Sequence, residues 1–207
     1  NAYLKVKNGE AKWFRDLKTF DHIEYSWPIL SSLLYVGLLE KELRVLDFGG
    51  SLGSTYFQNK DFLKTIPIRW TIVEQLHIVE WAKNNVKEDI AFDGSLLSAI
   101  SRSNPNVIIV SSVLEYLENP DEVLKKIQRV PYIIFDRTKV GQKNRITVQT
   151  PRKHNKNLTL PCRFISERYL LESLKDYEIM MEWKCSDIET KEELLREKGY
   201  LLKLKNS

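Results

Sequence analysis

Val45-Leu46-Asp47-Phe48-Gly49-Gly50-Ser51-Leu52-Gly53-Ser54 is the stretch whose reading decides the fold. An apolar run stops abruptly in glycines, and a helical pattern follows at Tyr56, Phe57, Phe62 and Leu63. That order predicts a buried strand, a tight turn and the start of a helix. Such a turn suits a small ligand. Glycine lets the backbone take positive φ and approach a ligand closely, the helix N-terminus offers unpaired N–H groups, and Asp47 supplies a carboxylate. A tight turn that binds nothing has the same spelling, so the neighbouring strands must decide.

Downstream, strands and helices alternate. The predicted strands are Arg69–Glu74, Ile90–Gly94, Asn106–Ser112 and Tyr132–Asp136. Between them lie helical segments from Gln75 to Val86, with Leu76, Val79 and Ala82 on one face, through Ile100, and from Pro120 with Val123, Leu124 and Ile127. This rhythm means βαβ units and a parallel sheet buried on both faces. After Asp136 it breaks. Arg137 to Arg163 is basic and free of acids, and reads as a long loop or a loop with a short strand. A helix over Phe164–Lys175, with Ser166 as N-cap, precedes two final strands, Tyr177–Lys184 and Tyr200–Lys205. A charged helical stretch, Ile188–Lys198, separates them and is stopped by Gly199. Upstream, Ser26-Trp27-Pro28 starts a helix whose apolar positions are Ile29, Leu30, Leu33, Leu34 and Leu38. Residues 1–24 read as an irregular or helical extension packed on the main body. The division expected is an N-terminal helical cap over residues 1–43 and one α/β domain over 44–207.

Composition narrows the classes. The chain has 207 residues, 43% hydrophobic and 29% charged, which fits a soluble globular protein with a sizeable core. It contains no uninterrupted apolar run of about 18 residues to span a membrane. Its start, Asn1-Ala2-Tyr3-Leu4-Lys5, has no apolar core segment, so no signal peptide is expected. Cys162 and Cys185 stand apart, without the spacing of a metal site, so no metal is expected and reduced thiols of a cytoplasmic protein are. The net charge of +4 is modest.

Three successive strands end in acids: Asp47, Glu74 and Asp93. The carboxyl ends of the strands in such a sheet line one crevice, where ligands bind. A carboxylate about 20 residues past the glycine turn is placed to accept both hydroxyls of a ribose. Asp93 is placed to accept from an adenine amino group, with Gly94 letting the ring lie close.

The order strand-DFGGSLG-helix, strand-Glu74, strand-Asp93-Gly94, strand-Ser111-Ser112-Val113-Leu114-Glu115-Tyr116-Leu117-Glu118-Asn119-Pro120 and a terminal pair of strands resembles the class I S-adenosylmethionine-dependent methyltransferases. The resemblance runs from about Trp27 to the C-terminus. DFGGSLGS, VLEYLENP, Phe135-Asp136-Arg137-Thr138 and Tyr25-x-Trp27-Pro28 more narrowly resemble a bacterial group of methyltransferases associated with surface-polysaccharide gene clusters. The chain departs from the family's D-x-G-x-G-x-G at Ser51, where the middle glycine usually lies.

The resemblance implies a Rossmann-like α/β fold: a seven-stranded, mainly parallel sheet with one antiparallel strand, helices on both faces and an N-terminal helical cap. It implies S-adenosyl-L-methionine as cofactor, with Asp47, Gly49, Gly50, Ser51 and Gly53 around the methionine moiety. Glu74 and Gln75 fall at the ribose, Asp93 and Gly94 at the adenine, and Ser111 and Ser112 beneath the sulfonium. Tyr116 and Trp27 either wall the cation with aromatic faces or simply pack. Methyl transfer is an in-line displacement, so the protein chiefly aligns the reactants, and a base is needed only for a hydroxyl acceptor. His154 and Asp136 are the candidate bases. Arg137, Arg145 and the basic run around them either form a solvated face or receive an anionic acceptor, a nucleotide-sugar or phosphosugar. No nucleic-acid-binding motif is present. The function expected is methyl transfer to oxygen of a small or sugar-containing acceptor. The rivals are a catalytically silent nucleotide-binding partner of a polysaccharide-assembly enzyme and an NAD-dependent oxidoreductase. Against the last stand the missing G-x-G-x-x-G spacing and the paired terminal strands.

Overall fold

The computed structural model describes residues 2–15, 18–149, 159–185 and 195–205. The chain forms two compact units, Asn1–Ile109 and Val110–Ser207.

The first unit opens with helix α1 (Ala2–Lys7) and an antiparallel pair, β1 (Trp13–Arg15) and β2 (Lys18–Phe20). Aromatic residues order this extension. Tyr3 meets Phe14, Phe57 and Trp81 with ring centroids 6.0 Å apart, and its hydroxyl donates to Glu88 at 2.9 Å. Helix α2 (Trp27–Glu40) carries Pro28 in its first turn, where a missing N–H costs nothing, and buries Ile29, Leu30, Leu33 and Val36.

Strand β3 (Leu43–Phe48) pairs in parallel with β4 (Ile68–Val73), and β4 with β5 (Ile90–Asp93). Helices α3 (Ser54–Asn59) and α4 (Leu76–Asn85) make the connections. Helix α5 (Leu96–Ser103), capped by the Ser95 hydroxyl, leads to β6 (Val107–Ser111) beside β3. Leu43, Val45, Leu46, Ile72, Ile108 and Ile109 are buried, each contributing roughly 1.5–3 kcal/mol. Of the three residues expected on the buried face of α4, Val79 and Ala82 are buried, but Leu76 is exposed and lies on Gly94. The register sets Asp47 opposite Ile72, Phe48 opposite Val73 and Val73 opposite Asp93. Asp47, Glu74 and Asp93 therefore lie at the same end of three adjacent strands.

In the second unit the end of β6 lies beside β7 (Tyr132–Gly141). A 3₁₀ turn, Leu114–Tyr116, and helix α6 (Pro120–Ile127) connect the two. Strand β7 does not stop at Asp136 as expected. It bulges there, Arg137 taking φ +48°, and continues because β11 (Arg196–Leu204) pairs with it on both sides of the bulge. The stretch after it, expected as a loop or a loop with a short strand, contributes two strands that pair antiparallel, β8 (Arg145–Gln149) and β9 (Leu160–Ser166). Helix α7 (Glu167–Ser173) follows, and its N-cap is Ser166, whose hydroxyl accepts from Tyr169 N–H at 3.3 Å. Strand β11 is antiparallel to both β7 and β10 (Tyr177–Lys184). Among the described residues the mixed sheet thus counts nine strands, the seven expected plus β8 and β9. Gly199 ends no helix. It lies inside β11, where the Trp183 ring occupies the space a Cβ would fill.

Candidate functional site

In the first unit the glycine turn closes on Glu74. The backbone N–H of Ser51 donates to Glu74 Oε1 at 3.0 Å, and Gln75 N–H donates to Oε2 at 2.9 Å. Gly49 N–H donates to Val73 O at 2.9 Å, tying the turn to β4. Gly49, Ser51 and Gly53 take φ of +73°, +53° and +91°. The turn therefore keeps the left-handed step at Ser51 that a glycine would supply freely, at some backbone strain. Gly50 is required for a different reason: a Cβ on it would come within 2.5 Å of the Asp47 carboxylate.

Asp47 is buried, and its Oδ2 has no hydrogen-bond partner among the described residues. Burial, with the Glu74 charge adding to it, pushes this carboxyl up to about 7 against the opposing influence of the Trp70 indole.

Asp93 is engaged differently. It accepts from Ser95 N–H at 3.0 Å and from the Ser98 hydroxyl at 3.0 Å, and it pairs with Arg102. Burial raises its pKa, but Arg102 and the two serines outweigh that and hold it below the usual carboxylate range. Gly94 is exposed with the Leu76 side chain beside it, an apolar residue that the sequence pattern set on one face with Val79 and Ala82. Trp27 is exposed, its ring 5.0 Å from Tyr25 and 6.2 Å from Phe62.

In the second unit a charged network surrounds the ends of β6 and the bulge of β7. The buried Asp136 carboxylate accepts from Ser111 Oγ at 3.1 Å and Trp183 Nε1 at 3.0 Å, with Cys185 Sγ at 3.7 Å and Arg137 Nε at 3.5 Å. Burial, reinforced by that carboxylate, pushes the Cys185 thiol up to about 12. Ser112, at φ +52°, donates from its backbone N–H to Asp136 O at 3.0 Å and from its hydroxyl to Glu115 Oε1 at 3.0 Å. Lys139 Nζ donates to the same oxygen at 2.7 Å, and lies 3.6 Å from Glu197. Burial works against the Lys139 charge, but Glu115 outweighs it and raises the pKa. The Tyr116 ring covers this ammonium at 5.3 Å, and its hydroxyl donates to Gln149 at 3.0 Å.

The structure thus brings Asp47, Gly49, Gly50, Ser51, Gly53, Glu74 and Gln75 together in one unit, with Asp93 and Gly94 on the adjacent strand end. It groups Ser111, Ser112, Tyr116, Asp136 and Arg137 in the other. Arg145 lies on β8. His154 lies outside the described residues. Sequence reasoning missed Trp183, Lys139 and Glu115. A glycine inside a strand pattern, Gly199, was the available sign of a close approach.

Parallel strands joined by helices, a glycine turn at their carboxyl ends and an antiparallel terminal pair make up the fold of the class I S-adenosylmethionine-dependent methyltransferases. Solved structures with this fold include an S-adenosylmethionine-dependent methyltransferase from Methanosarcina mazei, at TM-score 0.60 and 14% identity over 88% of this chain and 99% of that one. Another, from Clostridium acetobutylicum, aligns at TM-score 0.53 and 14% identity over 99% of each chain. The N-terminal domain of EvdMO1, crystallised in the presence of S-adenosylhomocysteine and D-fucose, aligns at TM-score 0.55 and 11% identity over 97% of this chain and 94% of that one. No protein-family model and no curated protein matches the chain in sequence.

Proposed function

We propose that the chain is an S-adenosylmethionine-dependent methyltransferase acting on oxygen of a small or sugar-containing acceptor in the bacterial cytoplasm, within surface-polysaccharide synthesis. The observation that carries this reading is the 3.0 Å hydrogen bond from Ser51 N–H to Glu74, which brings the glycine turn and the ribose-type carboxylate to one place. The residues fit the cofactor. Asp47 Oδ2 is a buried acceptor without a partner among the described residues, suited to a cationic ligand, and the glycines open the backbone beside it.

In this proposal Asp47, Gly49, Gly50, Ser51 and Gly53 hold the methionine part, and Glu74 with Gln75 the ribose. Gly94 and Leu76 wall the adenine, with Asp93 at its edge. Ser111, Ser112 and Tyr116 are assigned to the sulfonium end on the sequence resemblance alone. The cofactor supplies a methyl group activated on a sulfonium, and the protein holds it in line with the acceptor. Arg137 and Arg145 suit an acceptor bearing phosphate, and Trp27 suits a sugar ring. Three donors and the Arg137 charge already surround the Asp136 carboxylate, which favours His154 as the base that takes the acceptor's proton.

That saturation of Asp136 also favours a second reading, a catalytically silent nucleotide-binding partner of a polysaccharide-assembly enzyme. Incubation with methyl-labelled cofactor and polysaccharide precursors separates the two. A labelled product supports the enzyme, and tight cofactor binding without product supports the silent partner. An NAD-dependent oxidoreductase would gain thermal stability from NAD rather than from S-adenosylmethionine.

A further inference from the structure

The first unit carries a cavity of about 420 Å³ on the sheet face that presents Arg69, Thr71 and Ala91, a volume in the range of small-molecule sites. Parallel strands ordinarily hide branched apolar side chains under helices. Here Thr71 and Ala91, opposite each other in register, give a floor of small residues, and Ala91 is exposed. Of the residues assigned to the glycine-turn site, Asp93 alone borders this cavity.

Three guanidiniums from three elements stand around it: Arg44 on β3, Arg69 on β4 and Arg102 on α5. Arg44 and Arg69 share one carboxylate, Glu42. Arg44 pairs with its Oε1, Arg69 lies 3.3 Å from its Oε2, and Arg44 Nε also donates to Asn104 O at 2.6 Å. Arg102 pairs with Asp93. A guanidinium has five N–H donors in a planar fork. The side chains of Arg69 and Arg102 are 73% and 69% exposed, so donors beyond their single ion pairs face the opening. Forked, permanently charged donors of this kind match the oxygens of a phosphate. Asp93 is already neutralised by Arg102, which leaves Asp89 as the other acid at the rim. A carboxylate there repels a second phosphate but accepts hydroxyl groups.

We infer that this cavity is a second ligand site, separate from the proposed cofactor site, for a phosphorylated sugar. The phosphate sits among Arg69, Arg102 and Arg44, and the sugar hydroxyls reach Asp89 and Thr71. Cavity size, spare forked guanidinium donors at the rim and one hydroxyl-accepting acid together select that class over a bare anion or a nucleoside diphosphate.

Calorimetry at fixed ionic strength tests this with three probes: glucose 1-phosphate, inorganic phosphate and glucose. The expected result is saturable binding of glucose 1-phosphate, at least tenfold weaker binding of phosphate and none of glucose. Arg69→Ala should weaken glucose 1-phosphate at least tenfold, while Arg168→Ala, far along the chain on α7, should leave it unchanged. Arg69→Lys, which keeps the charge but loses the fork, should fall between and serves if the alanine variant is unstable. Equal affinity in wild type and both Arg69 variants, or no saturable binding of glucose 1-phosphate to wild type, would overturn the inference. S-adenosylhomocysteine affinity, measured in parallel, should be the same in wild type and Arg69→Ala. A loss there would place Arg69 in the cofactor site and also overturn it, whereas failure of wild type to bind that compound bears only on the methyltransferase proposal.

Discussion

Trp183 donates its indole N–H to Asp136 at 3.0 Å by lying across Gly199, the residue between them on the intervening strand. The contact needs a strand residue without a side chain, which accounts for a glycine in β11 despite its entropic cost there. Gly199→Ala should displace the ring and lower stability by about 2–4 kcal/mol. Trp183→Phe, keeping most of the volume but not the donor, should cost about 1–2 kcal/mol. Urea unfolding of both variants checks the order, and an alanine variant as stable as wild type would contradict the packing.

Lys139 and Glu115 are buried together, 2.7 Å apart, with Glu197 nearby. Lys139→Met strands Glu115 and should cost about 3–5 kcal/mol, whereas Glu115→Gln leaves Lys139 beside Glu197 and should cost less. The double variant should cost less than the two losses combined, because only Glu197 is then left without the ammonium. Additive losses in a double-mutant cycle would mean that the pair does not act as a unit.

What could be read from the sequence followed strong local patterns. The alternating strands and helices from Arg44 to Asp136, the helix start at Ser26-Trp27-Pro28, the cap at Ser166 and the strand ends at Asp47, Glu74 and Asp93 depend on periodicity and on glycine, serine and proline chemistry. Those survive without tertiary information. What could not be read depended on partners distant in sequence. β7 runs past Asp136 only because β11 pairs with it, and β8 forms only against β9. Leu76 fits the apolar face of α4 by period, yet the short β5 leaves it at the edge over Gly94. The Asp93 carboxylate could be read as a ligand acceptor, but its capture by Arg102 nine residues later is a matter of α5 geometry.

Glu74 has a structural part to play and, in the proposed site, a binding part. Its two oxygens accept Ser51 N–H and Gln75 N–H, so Glu74→Ala loosens the turn as well as removing the proposed ribose acceptor. We expect S-adenosylhomocysteine affinity to fall by about 1–3 kcal/mol, with Glu74→Gln, which keeps one acceptor, losing less. Unchanged affinity by calorimetry would remove Glu74 from the site.

Asp47 gives the clearest pH signature. Its carboxyl is raised from 3.8 to about 7, chiefly by burial. A folded-state pKa above the unfolded one means that the fold prefers the protonated form. The stabilisation is complete below about pH 4 and is lost as pH rises through about 7. The shift corresponds to at most roughly 4 kcal/mol. Asp47→Asn removes the titration and keeps the shape, so between pH 5 and pH 8 the ligand-free variant should lose less stability than wild type and be the more stable of the two at pH 8. In the proposed site it should also bind S-adenosylhomocysteine more weakly, because the Oδ2 that has no partner among the described residues and suits a cationic ammonium is gone. A binding cation favours the ionised form, so S-adenosylhomocysteine binding to wild type near pH 7 should release protons, seen as a buffer-dependent heat that the variant lacks. Parallel pH–stability curves for the two proteins would show that Asp47 is not held protonated by the fold.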